Sequence, residues 1–268
     1  MERKLIITRW KEQVLTSLLE NGEIVEFHCS PNETKEQAVL GNIYVGKVKN
    51  IVPNIGAAFV EVAKGVECYY ALDENETPIF TQKIGKKLLC IGDELLVQVS
   101  KEAVKTKVPT VSGKLSFTGK YAVLTTGDTR IGISSKLPKE SREHFQKLAA
   151  SYQSDAYGFI IRTNAKDVAE EVLKAELEQL IQEYKELVKI AGTRVCYSCL
   201  KKAPKQYLSE LKNIYQDGLK EIVIEDPILY EETIAYLKMY QPEDLGKVHR
   251  YEDTLLPLDK LHNIERKL

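Results

Sequence analysis

The sequence predicts a mixed α/β protein that carries a small closed β-barrel. Three observations predict it. An Asn21-Gly22 pair joins two apolar, β-rich runs near the N-terminus. Five short apolar runs recur between Leu40 and about Phe117, with turn residues between them. The last region alternates helical patterns with one short, continuous apolar run, KEIVIED. At 268 residues, roughly two domains are expected. Hydrophobic residues make up 43% and charged residues 29%, enough apolar content for a sizeable core and too much for a disordered chain. Lys and Arg number 38 against 39 Asp and Glu, a net charge of −1. That balance excludes a uniformly basic nucleic-acid binder but leaves a local basic face open. No apolar run approaches the roughly 20 residues of a membrane span. The N-terminal stretch is interrupted by Arg9 and Lys11, so no signal-peptide core is expected. Five cysteines, an odd number, fit reduced thiols in a cytoplasmic protein better than a disulfide framework.

Taken in order, KLIITRW, QVLTSLLE and EIVEFHC form an antiparallel meander over residues 2–29, because Asn-Gly supplies the two positive-φ positions of a tight hairpin turn. The polar stretch SPNETKEQ breaks the pattern and marks a candidate linker. NIYVGKVKNIV, AAFVEVA, ECYYAL, ELLVQVS and VSGKLSF are the five barrel strands. Turns fall at Pro53-Asn54, Gly65, Asp73-Glu74-Asn75 and Gly92-Asp93. The commonest five-stranded barrel is the oligonucleotide- and oligosaccharide-binding (OB) type. YAVLTT, RIGISS and FIIRTN are further strands, and PKESREHFQKLAASY is a helix with Pro138 suited to its first turn. A long amphipathic helix follows, with Asp167 as its N-cap, Gly192 just past its end, and a stripe running from Val168 and Val172 through Leu173, Leu177 and Leu180 to Leu187. PKQYLSELKNIYQ is a helix stopped by Asp217-Gly218, KEIVIED a strand, and PILYEETIAYLKMY a helix begun by Pro227. That last strand lacks a parallel neighbour in sequence. If the N-terminal meander is its partner, everything between them is an insertion into one α/β domain.

The barrel region is the most informative. Gly46-Lys47-Val48, Gly56-Ala57-Ala58-Phe59-Val60 and Gly92-Asp93 follow in order. They resemble the ribosomal-protein-type RNA-binding barrel. A single-strand binder needs exposed aromatics as stacking platforms and cations along the phosphates. Phe59 is one candidate aromatic. Tyr69 and Tyr70 are adjacent, so one must point in and the other out. Lys101, Lys105, Lys107, Lys114 and Lys120 form a basic stretch opposed only by Glu102. The plainer alternative is that the aromatics pack the barrel and the lysines are a solvated face.

The resemblance extends further. LLENGEIVEF, GNIYVGKVKNIVPNIGAAFVEV, KYAVL, GISSKL, FIIRTNA and EIVIEDP, in this order and spacing, resemble the bacterial ribonuclease E/G family over Leu5 to about Leu261. The resemblance implies an α/β, ribonuclease-H-like domain without its own active site, interrupted by a five-stranded OB barrel and an α+β five-prime sensor. It divides the chain into 1–37 and 205–262 (ribonuclease-H-like), 38–113 (barrel), 114–204 (sensor) and 263–268 (start of the helix leading to a catalytic domain). It carries RNA binding onto Phe59, Tyr69 and Lys107, and five-prime-monophosphate sensing onto Arg162, Thr163 and the backbone of Val123. A guanidinium fork and a hydroxyl suit a terminal phosphate. The plainer role for Arg162 is an ion pair at a strand end. The family has Arg-Arg after G-I-S, where this chain has Ser135-Lys136.

Catalysis in the family uses two aspartates holding magnesium on a DNase-I-like domain. LDKLHNIERKL matches the helix leading into that domain, so the catalytic aspartates are expected beyond Leu268, with no catalytic residue, metal ligand or cofactor in this chain. Cys196-Tyr197-Ser198-Cys199 has no second ligand pair and reads as incidental thiols, and the four histidines fit no ligand spacing. The expected partner is single-stranded RNA, with homo-oligomer formation left open. The expectation is thus the RNA-recognition part of an endoribonuclease in RNA processing and decay. A non-catalytic RNA-binding adaptor is the alternative. A residual nuclease using acids of the ribonuclease-H-like part is a third reading, against which KLIITRW carries no carboxylate.

Overall fold

The computed structural model describes residues 2–32, 38–73, 77–213, 219–253 and 255–261. Most of the expected linker, residues 74–76 of the expected turn, the Asp217-Gly218 turn, His262 and residues 263–268 lie outside them. The chain divides into two compact units, Met1–Thr34 with Pro204–Leu268, and Lys35–Ala203.

Strands β1 (Arg3–Trp10), β2 (Gln13–Glu20) and β3 (Glu23–Pro31) form the expected antiparallel meander. Asn21 and Gly22 take φ of 50° and 87°, the primed-turn geometry for which the pair was read.

The second unit begins with β4 (Ile43–Val52), β5 (Ala57–Ala63), β6 (Val66–Ala71), β7 (Phe80–Gln82), β8 (Glu94–Lys101) and β9 (Thr110–Ser112). Five of these close on themselves in the order β4-β5-β6-β9-β8, with β8 pairing back to β4 and β6 parallel to β9. This closed barrel fits the OB fold. Its interior holds Val48, Ala58, Val60, Val62, Tyr70, Leu95, Val97, Val99 and Val111. Gly92 takes φ 91°. Asp93 behind it is fully buried and accepts from the Ile84 N–H at 2.8 Å and the Cys90 N–H at 2.7 Å, so the Gly-Asp pair is a turn pinned by its own carboxylate.

The expected fifth barrel strand, VSGKLSF, is two strands. Thr110–Ser112 closes the barrel, whereas β10 (Ser116–Thr118) leaves it for a second sheet. Ser112 and Gly113 break the run, and the Ser112 hydroxyl accepts from the Lys114 N–H at 3.0 Å. The second sheet has the order β10-β11-β13-β12, from β11 (Ala122–Thr126), β12 (Ile131–Ile133) and β13 (Tyr157–Ile161). Helix α1 (Lys139–Ala150) starts after Pro138, which stands at the N-cap rather than inside the first turn. Helix α2 (Glu170–Ala191) begins two residues later than expected, with Ala169 and not Asp167 at its N-cap. Residues 163–165 form a 3-10 turn instead, closed by the Ala165 and Lys166 N–H groups on the carbonyls of Arg162 and Thr163. Leu173, Leu177, Leu180 and Leu187 are buried, but Val172 is 44% exposed and off the stripe. A short strand, β14 (Cys199–Lys201), was not foreseen and adds to β4.

The chain then returns to the first unit with α3 (Gln206–Asn213), β15 (Leu219–Ile224), α4 (Pro227–Tyr240), β16 (Val248–Arg250) and α5 (Leu258–Leu261). The sheet order is β16-β15-β1-β2-β3, and β15 pairs in parallel with β1 through Leu5↔Ile222, Ile6↔Val223 and Ile7↔Ile224. The meander is therefore the missing partner, and the second unit is an insertion. Leu5, Ile7, Tyr207, Leu211, Ile224, Leu229 and Leu237 pack one core of this unit. Among the described residues no helix is long and apolar enough to cross a membrane.

Gly46 lies on β4 against the barrel wall, where a Cβ would come within 2.6 Å of Val60 Cγ1 and 3.0 Å of Val97 Cγ2. Gly46→Ala should therefore destabilise the protein by about 1–3 kcal/mol, read as a lower urea midpoint. An unchanged midpoint would mean that the wall has slack there.

Candidate functional site

The barrel register sorts its side chains into two adjacent rows. Ala58, Tyr70, Val111 and Val99 pair across neighbouring strands and are buried in the interior. The next row, Asn50, Phe59, Tyr69, Thr110 and Lys101, follows the same strands. Period-2 alternation turns this row outward. Phe59 and Tyr69 are half-buried neighbours with centroids 6.4 Å apart and rings at 86°. The adjacent tyrosines thus divide as expected, Tyr69 outward and Tyr70 inward.

Lys107 sits in the β8–β9 loop. The Val104 N–H donates to the Lys107 carbonyl at 3.2 Å and the Lys107 N–H to the Val104 carbonyl at 3.0 Å, with Lys105 at φ 55°. Lys101, Lys105 and Lys107 are exposed. Lys105, Thr106 and Lys107 line a groove of about 600 Å³ whose other wall includes Gly65, Val66 and Glu67. The Tyr69 N–H donates to the Pro109 carbonyl at 2.8 Å, which ties this loop to the aromatic strand. Two members of the expected basic stretch do not join them. Lys114 pairs with Asp73 at 2.9 Å, and Lys120 is only 4% exposed, its ammonium 5.2 Å from the Tyr121 ring centroid. A run of like charges in sequence is here split among a loop, an ion pair and a buried stem.

Glu61, two residues after Phe59, accepts from the Tyr197 hydroxyl, from Lys49 Nζ at 3.2 Å and from the Gly65 N–H at 2.8 Å. The Tyr197 hydrogen bond, then those of Gly65 and Lys49, hold its carboxyl down at about 2. Tyr197 lies inside the C-x-x-C stretch. Its N–H donates to the Val45 carbonyl at 2.8 Å, so this segment is a barrel edge. Burial pushes the Cys196 thiol up to about 11, away from reactivity.

The second group of expected site residues surrounds the end of β13. The Arg162 N–H donates to the Tyr121 carbonyl at 2.7 Å, and its Nη1 donates to the carbonyls of Gly119 at 2.9 Å and Lys120 at 3.4 Å. Arg162 is thus joined to the 119–121 loop rather than standing only as an ion pair. The Thr163 and Ser134 hydroxyls are 2.8 Å apart. Val123 pairs with Ile160 on the neighbouring strand. Ser135 and Lys136, at the departure from the family pattern, are exposed just beyond Ser134.

Sequence reasoning missed Glu176. Its carboxylate accepts from the N–H groups of Lys120 at 2.9 Å, Tyr121 at 2.7 Å and Ala122 at 2.7 Å. A signal was present. Leu173, Glu176, Leu177 and Leu180 follow the i, i+3, i+4, i+7 pattern, so Glu176 takes a stripe position that an apolar residue would fill.

Asp226 caps α4 through Oδ1, accepting from Ile228 and Leu229 N–H, while Arg9 Nε donates to Oδ2 at 2.6 Å. Burial raises its pKa, but Arg9 and the two N–H groups outweigh that and hold the carboxyl below its ordinary value. Among the described residues no three His, Cys, Asp or Glu side chains converge on one point.

Three comparisons bear on this geometry. A family model described as "Ribonuclease E/G family" matches residues 116–268. Ribonuclease G of Salmonella typhimurium (strain SL1344) is 25% identical over 283 residues, covering 100% of this chain and 56% of the relative. Ribonuclease E of Haemophilus influenzae is 24% identical over 278 residues, covering 100% of the chain and 29% of the relative. The chain spans about half the length of the ribonuclease G relatives it matches.

The Glu61 carboxyl has a folded pKa below its unfolded one. Its contribution to stability is full above about pH 4.5 and is lost as pH falls toward 2. Removing its largest hydrogen bond with Tyr197→Phe should move the Glu61 titration upward and shift acid unfolding to higher pH. Carboxyl-detected NMR titration of both proteins checks this, and an unmoved Glu61 would refute the Tyr197 assignment.

Proposed function

The chain belongs to the ribonuclease E/G family, and from that premise we propose that it is the RNA-recognising part of an endoribonuclease. It binds single-stranded RNA along the barrel and reads a five-prime monophosphate beside Arg162. The observation that carries the reading is the outward row containing Phe59, Tyr69 and Lys101 beside a buried interior row. Its aromatics offer stacking surface that any base can use, and Lys101, Lys105 and Lys107 supply cations for the phosphates. Together they make a sequence-tolerant single-strand surface on a chain of nearly neutral net charge.

The unit that holds both chain ends is, in this reading, ribonuclease-H-like. Its support is the sheet order, with three antiparallel strands followed by the parallel β15 and β16. Residues 38–113 are the barrel and 114–204 the sensor. In the sensor, Arg162 supplies the guanidinium, Thr163 the hydroxyl and Val123 backbone contact for the terminal phosphate. Serine and lysine at 135 and 136 leave a single cation, Lys136, where the family carries two arginines. Cleavage is assigned to none of the described residues. Asp226 is the strongest acid candidate on the ribonuclease-H-like sheet, and its capping bonds and Arg9 occupy it structurally.

Phe59→Ala and Tyr69→Ala should each weaken binding of a single-stranded oligoribonucleotide by about 1–3 kcal/mol with the fold intact. Lys107→Ala should flatten the salt dependence by about one counterion. Fluorescence anisotropy across a salt series measures all three. Parent-like binding by every variant would sink the stacking surface. Separately, a monophosphorylated oligoribonucleotide should bind more tightly than its hydroxyl-ended twin, and Arg162→Ala should erase the difference.

A further inference from the structure

Three consecutive N–H groups, those of Lys120, Tyr121 and Ala122, converge on one carboxylate, Glu176 of α2, at 2.7–2.9 Å. Successive N–H groups aimed at one point make a concavity that favours an anion. Here the anion is internal. Gly119 makes room for it, since a Cβ at that residue would lie 2.4 Å from Glu176 Oε1. The far side of the same loop faces Arg162, whose Nη1 donates to the Gly119 and Lys120 carbonyls and whose backbone N–H donates to the Tyr121 carbonyl. The loop is therefore held from two sides, by a carboxylate on its N–H groups and by a guanidinium on its carbonyls.

We infer that Glu176 is a positioning residue of the five-prime-phosphate pocket. It fixes the 119–122 loop, and that loop fixes the plane of the Arg162 guanidinium. The inference rests on the sensor reading of Arg162 proposed above. A guanidinium reads a phosphate through a fixed fork, and its selectivity depends on holding that fork in one orientation. Loop carbonyls can hold it only if the loop itself is rigid. A hydrogen-bonded charge saturating three adjacent donors supplies that rigidity, and Leu173, Leu177 and Leu180 bury the flank of the helix that presents it. The same carboxylate consumes the loop's N–H donors, so an RNA phosphate cannot settle on them instead. It is directed to Arg162 and Thr163. Glutamine cannot replace it, because its amide brings one acceptor and turns a donor toward other donors.

The test compares parent, Arg162→Ala, Glu176→Gln, Glu176→Asp and Gly119→Ala full-length proteins. Anisotropy gives the affinity for one single-stranded oligoribonucleotide with a five-prime monophosphate and with a five-prime hydroxyl. Glu176→Gln should cut the monophosphate-to-hydroxyl preference roughly tenfold, leave hydroxyl-RNA affinity unchanged, and move the amide proton shifts of residues 120–122. Glu176→Asp, which keeps the charge, should restore part of the preference. Gly119→Ala pushes the carboxylate out from the other side and should act like Glu176→Gln. It decides the matter if that variant fails to fold. A merely structural glutamate would lower the melting temperature and leave the preference intact. A parent preference that Arg162→Ala abolishes, while Glu176→Gln and Gly119→Ala retain it, overturns the inference and spares the sensor reading. A parent without any preference removes the sensor reading and this inference with it.

Discussion

Strand β4 belongs to two cores at once, and the inserted unit depends on it. Ile43 and Val45 point into the core shared with Leu115, Phe117, Leu124, Phe159 and α2, whereas Tyr44 and Val48 point into the barrel. Its partner β8 divides in the same way, with Leu96 to the first core and Leu95 and Val97 to the second. A strand buried on both faces reads as a continuous apolar run, which is what residues 43–48 and 95–97 are, save for Gly46 and Lys47. Ile43, Val45 and Leu96 are each fully buried, worth on the order of 5–9 kcal/mol together as an upper bound. The barrel and the second sheet are therefore one folding body, and β14 clamps it by bringing the chain beyond α2 back onto β4.

In the proposed reading, two kinds of recognition share a chain of net charge −1. The barrel's outward row holds two half-buried aromatic rings beside exposed lysines. At the end of β13 the Arg162 guanidinium is oriented by hydrogen bonds to two backbone carbonyls. On that proposal, one surface would give affinity along a strand and the other identity to its end. Several basic residues elsewhere are matched at short range by acids, as Arg9 is by Asp226 and Lys201 by Glu183.

Much of this was legible in the residues. The Asn-Gly turn fixed the meander, because few other pairs accept two positive φ values. Turn residues at regular spacing gave the barrel, and the unpartnered KEIVIED run pointed back to the N-terminus. What escaped has physical reasons. Strands β14 and β16 are three residues long and exist only through distant partners. The break at Ser112-Gly113 is a local hydrogen-bonding choice inside an apparently continuous strand. The start of α2 was misread because Asp167 has capping chemistry, yet the preceding turn uses the backbone first. The fates of Lys114 and Lys120 depend on Asp73 and Tyr121, which no periodicity reveals. In the candidate site, residue types and their order suggested Phe59, Tyr69 and Arg162, but Glu176 finds its partners in a loop more than 50 residues away.

The parallel pairing of β1 with β15 also has a consequence in time. On a ribosome, the meander emerges first, and one edge of β1 must wait for Leu219–Ile224. At about 5–20 residues per second, the intervening insertion takes on the order of ten to forty seconds to synthesise. During that interval Leu5, Ile6 and Ile7 form an apolar strand with unmatched backbone groups, the kind of edge that recruits other chains. The inserted unit can complete its own core within the same interval. The inserted unit can therefore be folded on the nascent chain while β1 still lacks its β15 partner, which makes that strand edge the exposed element during synthesis.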